Sequence, residues 1–107
     1  RVPNWRGIVH AQALFQTGES YISEKKYAEA HGFFERTFLG YSQFSDLCAR
    51  AYLADAEALL NLGTQSDAIT TLTEAVEILT ESASPELMAA IQAKLEALKP
   101  ATPSPQS

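Results

Sequence analysis

A single cysteine, Cys48, stands among the 107 residues, so no intrachain disulfide can hold this chain together, and one thiol says little about its compartment. β-Branched residues are sparse inside the periodic segments, and the five glycines and five prolines fall mostly at their edges, which leaves little from which to build a sheet. Basic residues are also few: eight Lys and Arg oppose thirteen Asp and Glu, a net charge of −5. Residues 1–45 carry five Lys or Arg against four Glu, whereas residues 46–107 carry three against nine Asp or Glu. Phosphate binding needs clustered cations, and the only adjacent pair, Lys25-Lys26, reads as a loop tip, so nucleic acid and anionic membrane are excluded as principal partners. No apolar run approaches the ~20 residues that cross a bilayer, which excludes membrane insertion. The chain starts at Arg1 without a charged-then-apolar leader and reads as an excised or processed piece of something longer.

Recognisable catalytic chemistry is missing too. There is no Gly-rich phosphate loop, no Ser or Cys nucleophile beside a His, and no pair of carboxylates in an apolar setting. Glu19 and Glu57 come nearest to an acid/base pair, but their surface-facing helical positions read as solvated charges. His10 and His31 fall on different predicted helices, and only His31 with Glu35 could share a metal; the pattern reads as a solvated helical charge contact instead. These absences predict no enzyme, no metal site and no cofactor.

What is present is helical periodicity that repeats. Gly18-x-x-Tyr21 followed by Ala30-x-x-x-Phe34 describes two antiparallel helices packed closely face to face. Thirty-eight positions on, Ala68 and Leu72 answer Ala30 and Phe34, and Tyr52-x-x-x-Ala56-x-x-Leu59 repeats the spacing of Leu14-x-x-x-Gly18-x-x-Tyr21. A fixed period of this size marks a helical solenoid, in which one helix pair cannot bury its apolar face alone.

Five helices follow from the pattern. Asn4 is placed to cap the first, over about 5–23, with Ile8, Ala11, Leu14, Phe15, Gly18 and Ile22 on its apolar face. Tyr27 to Phe38 form the second, with Gly40 where a left-handed terminator belongs. Ser42 to Ser45 make a turn, and Leu47 to Leu62 the third helix, ended by Gly63. Thr64-Gln65-Ser66-Asp67 has the form of a capping box before the fourth, Ile69 to Leu79. Ser84-Pro85-Glu86 opens the fifth, which carries Leu87, Met88, Ile91, Leu95 and Leu98 to about Lys99. Residues 100–107, rich in Pro and Ser, read as an extended tail or linker.

These residues resemble the tetratricopeptide repeat family, whose pattern over ~34 residues runs from a large residue through Leu-Gly and Tyr to Ala, an aromatic and Ala. Leu14, Gly18, Tyr21, Tyr27, Ala30 and Phe34 match it in a first copy, and Tyr52, Ala56, Leu59, Gly63, Ala68, Leu72 and Ala75 in a second. Thr37 departs from the preferred Ala, neither copy has the closing proline, and the 38-residue offset implies about four extra residues near Gly40 to Ser45. The resemblance implies an all-α, right-handed superhelix of helical hairpins within residues 1–99: repeat 1 over about 11–44, repeat 2 over about 49–82 and a capping helix at 85–99. A plain helical bundle with the same apolar periodicity is the alternative.

The resemblance also implies a concave groove lined by the first helix of each pair, at Gln12, Phe15, Glu19, Ile22, Ser23, Arg50, Leu53, Glu57, Leu60 and Asn61. The Lys and Asn with which some members clamp a terminal carboxylate are replaced by Phe15, Glu19, Leu53 and Glu57, so such tails are not the expected ligand. The implied function is a noncatalytic protein-interaction module that takes a peptide, a helix or a second copy of itself. A structural segment of a longer array, or a noncatalytic part of a larger enzyme or sensor, remains open. Trp5, about two helical turns before the first copy, is placed where an upstream repeat or a partner would stack.

Overall fold

The structure is a computed structural model that describes residues 4–99, together with all side chains in that range except those of Asn4 and Trp5. It is all-helical: α1 (Asn4–Ser23), α2 (Tyr27–Gly40), α3 (Ser45–Asn61), α4 (Gln65–Leu79) and α5 (Pro85–Leu98), with no strand among the described residues. The predicted Asn4 cap and Trp5 stacking surface rest on those two side chains, and the tail 100–107 lies outside the described residues. Among the described residues no helix is long and apolar enough to cross a membrane.

Each helix packs on its neighbour in sequence. In addition α1 packs on α3 and α3 on α5, whereas α2 and α4 do not meet. The odd-numbered helices thus form one layer with α3 at its centre, and the even-numbered helices lie apart from each other. Small residues allow the close approaches: Ala11, Ala30, Ala49, Ala56, Ala68 and Ala75 are all fully buried. Gly18 is the tightest point, because a Cβ there would come within 2.5 Å of the Phe34 ring, itself fully buried. Phe15 tilts against Phe34 with ring centroids 5.7 Å apart, and Tyr21 stacks on Phe33 at 5.5 Å, so aromatic contacts fasten α1 to α2. Between α2 and α3, Phe38 stacks on Tyr52 with centroids 3.9 Å apart.

Both inter-helix turns of the hairpins carry one hydrogen-bond pattern. After α1, the Lys26 N–H donates to the Tyr21 carbonyl (2.8 Å) and the Lys25 N–H to that of Ile22 (2.9 Å). After α3, Thr64 donates to Leu59 (2.9 Å) and Gly63 to Leu60 (3.0 Å), 38 positions later in every member. These nested bonds require a left-handed residue, supplied by Lys25 (φ 62°) in one turn and Gly63 (φ 81°) in the other.

Two predicted stops differ from what is seen. Gly40 is the last residue of α2 and does not adopt positive φ; the chain leaves through Tyr41, whose N–H still reaches the Thr37 carbonyl. Thr64 occupies the cap position of α4, but its hydroxyl turns back and donates to the Leu59 carbonyl at 2.9 Å, so no capping box forms. The end of α3 has orphan carbonyls of its own, and Thr64 serves that end. At the last helix, Ser84 and Pro85 take the expected cap and first-turn places, while the Ser84 N–H is bound by the Asp46 carboxylate of α3 at 2.7 Å. Gln65 of α4 donates to the Leu98 carbonyl at 2.7 Å, so α5 is tied at both ends.

Candidate functional site

On the layer of odd-numbered helices lies an open groove of about 890 Å³, with Phe15 and Glu19 on α1, Leu53, Ala54, Arg50 and Glu57 on α3, and Ala90, Ala93, Lys94 and Ala97 on α5. The i, i+4 relation puts Phe15 above Glu19 and Leu53 above Glu57, so each helix offers carbon with a carboxylate one turn on. A smaller hollow of about 270 Å³ continues from Glu19 and Glu57 past Ala54 to Ile22 and Ser23. Five predicted positions therefore meet in the groove, and Ile22 and Ser23 extend it.

The remaining predicted positions stand apart. Gln12 is exposed on α1, Leu60 packs against the core, and the Asn61 amide donates to the Glu57 backbone carbonyl at 2.9 Å. The α5 wall had not been anticipated. Its alanines at 90, 93 and 97 recur at three and four, and they are the exposed side of a helix whose other side buries Ile91 and Leu95. Lys94 reaches across to the Glu57 carboxylate and pairs with it. That pair engages the Glu57 charge, leaving Glu19 and Arg50 as exposed groove charges of opposite sign.

A second polar cluster lies between α2 and α3. Asp55 is fully buried, and its Oδ1 is 2.6 Å from His31 Nδ1, while His31 Nε2 is 3.4 Å from Glu35 Oε1. With the carboxylate ionised, the Nδ1–H donates. Asp55 Oδ2 has no hydrogen-bond partner among the described residues. Burial raises the Asp55 carboxyl from 3.8 to about 6; the His31 hydrogen bond and charge oppose this, and the Glu35 charge adds to it. His31 is thus a bridge between helices and not merely the solvated partner of Glu35. Asp55 was visible in the sequence only as a charge interrupting the stripe Cys48, Tyr52, Ala56 and Leu59. Among the described residues no three His, Cys, Asp or Glu side chains converge to hold a metal ion.

Cys48 lies beneath the α2–α3 turn, with its thiol 3.2 Å from the Tyr41 carbonyl, to which it donates. Burial pushes the thiol up to about 11, so it stays protonated at neutral pH and cannot serve as a thiolate nucleophile there. No family model matches the chain, and neither a curated protein nor a solved structure does.

Proposed function

We propose that the chain is a noncatalytic protein-interaction module, built of two tetratricopeptide-like hairpins and a closing helix, that binds a partner in the groove of α1, α3 and α5. The observation that carries this reading is the groove itself, in which Phe15 and Leu53 stand beside the row Ala90, Ala93 and Ala97 over three helices. Carbon at the floor supplies affinity, and the small α5 residues leave room for a backbone to come close. With Glu57 engaged by Lys94, orientation falls to Glu19 at one end and Arg50 at the other. The ligand class is an apolar helix or extended peptide with a basic residue set to meet Glu19.

The nested turns 38 positions apart and the paired burial of Ala30 with Ala68 and of Phe34 with Leu72 support the repeat reading. Selection from a displayed random-peptide library, followed by NMR titration of a selected peptide, tests the proposal. Apolar peptides with one or two basic residues should shift the resonances of Phe15, Leu53, Ala93 and Lys94. Phe15→Ala and Leu53→Ala should each weaken binding by about 1 kcal/mol or more, and Glu19→Gln should chiefly reduce its salt dependence. Shifts confined to another face would remove the groove from the proposal.

A further inference from the structure

Helix α2 bears an outward face whose composition makes no sense for a solvated surface. Ala is favoured over Gly in a helix, and Gly18 has a reason to resist it, but at Gly32 an added Cβ would meet no atom within 4 Å. Two turns later Leu39 is 70% exposed, the most exposed large apolar side chain described. Between them lie Glu35 and Arg36. All four line an open depression of about 670 Å³ floored by Leu14 and Tyr41, on a different set of residues from the peptide groove.

We propose that this face pairs with the same face of a second copy, the two α2 helices running antiparallel about a two-fold axis that passes between Glu35 and Arg36. Under that operation Leu39 of each copy enters the notch over Gly32 of the other, and Glu35 of each meets Arg36 of the other, every contact being made twice. The patch holds one knob, one notch, one anion and one cation, at sequence positions symmetric about a single point. This self-complementarity in charge and shape selects a second copy over an unrelated helix, which would have to carry the same four features in reverse order. Both charged groups are already held near the helix surface: the Arg36 guanidinium lies 4.7 Å from the Phe33 ring centroid, and Glu35 Oε1 is 3.4 Å from His31 Nε2. The contact covers little more than two turns, so the association is a weak one.

Sedimentation equilibrium of the full chain, from micromolar concentrations to about 1 mM, tests the pairing. The parent should show a monomer–dimer equilibrium, and Leu39→Glu should raise its dissociation constant at least about tenfold. Glu35→Arg or Arg36→Glu alone should weaken the dimer by setting like charges opposite each other, and the two together should restore it. Gly32→Ala separates this role from folding, because it should raise the thermal midpoint while weakening the dimer. A parent that stays monomeric to about 1 mM, or a dimer indifferent to Leu39→Glu, overturns the proposal. So does failure of the double charge swap to restore pairing, or a dimer lost instead through the groove change Phe15→Ala with Leu53→Ala.

Discussion

Where α1 crosses α2, Gly18 lies under the ring of Phe34; 38 positions on, where α3 meets α4, Ala56 and Leu72 hold the corresponding places, all four residues being buried. The smaller residue faces the larger one in the first hairpin, and in the second both are intermediate in size. What persists between the two hairpins is the summed volume at the crossing, which close packing constrains, and not either side chain alone. The turns differ in the same manner: one left-handed position is filled by Lys25 and the other by Gly63, with identical hydrogen bonds around them. The sharpest contrast is polar. His31 bridges to buried Asp55, but Ile69, the residue 38 positions after His31, is a half-buried apolar side chain packed on the core.

That polar difference should give the largest mutational effect. His31→Ala strips the partner from a buried carboxylate and should cost about 3 kcal/mol at neutral pH, read as a drop in urea midpoint. Giving the α2–α3 contact the apolar character that Ile69 has at the equivalent place, with His31→Ile and Asp55→Leu together, should recover the parent's stability or exceed it, since well-packed carbon often replaces a buried ion pair without loss. A double variant as unstable as His31→Ala would show that the two places are not interchangeable. The pair also fixes a pH signature. The folded carboxyl is raised to about 6 from 3.8, so between those values the native state holds more protons than the unfolded one, and the Asp55 contribution to stability falls as pH rises. It is fully present below about pH 4 and lost above about pH 6, a change on the order of 2–3 kcal/mol. Subtracting the stability of Asp55→Asn from that of the parent over pH 3–8 should isolate this slope.

Next in size is the crossing. Gly18→Ala drives a methyl into the Phe34 ring and should cost about 2 kcal/mol, even after the gain in helix propensity. Adding Phe34→Leu copies the Ala56 and Leu72 arrangement and should return much of that loss, a positive coupling in a double-mutant cycle. If the two changes simply add, the crossings are not equivalent. The smallest effect belongs to the turns: Lys25→Gly should raise stability by about 1 kcal/mol by relieving a left-handed lysine, and Gly63→Ala should lower it by a similar amount. Thermal melts of the two variants should move in opposite directions.

Much of the fold was readable because apolar spacing, small residues and turn chemistry are local signals. The helix limits at Ser23, Tyr27 and Pro85 followed from such signals, and α3 ends at Asn61, one residue short of the expected Leu62. Gly40 misled because glycine permits a left-handed stop without requiring one, and Thr64 because a hydroxyl between two helices can serve either end. Helical spacing combined with the resemblance puts Phe15, Glu19, Leu53 and Glu57 on one side of α1 and α3, where they line one open depression. Its third wall was not legible, since nothing in the spacing of the first four helices says how α5 is rotated about its axis. Asp55 escaped because periodicity counts apolar residues, and a charge on a buried stripe becomes intelligible only when its partner on another helix is in view.

The separation of α2 from α4 has a mechanical consequence. Helix α3 packs on all four other helices, whereas no Cα of α2 comes within 8 Å of one of α4. A tilt of α1 and α2 against α4 and α5 about α3 would close the gap between α2 and α4, a cavity of about 180 Å³ lined by Phe38, Leu39, Ile78 and Leu79, as the opposite side spreads. The groove lies on that opposite side, bounded by α1 and α5, so under such a tilt its width would vary inversely with the rear cavity. Bulk placed in the rear gap would act as a wedge that narrows the mouth, without touching a residue that lines it.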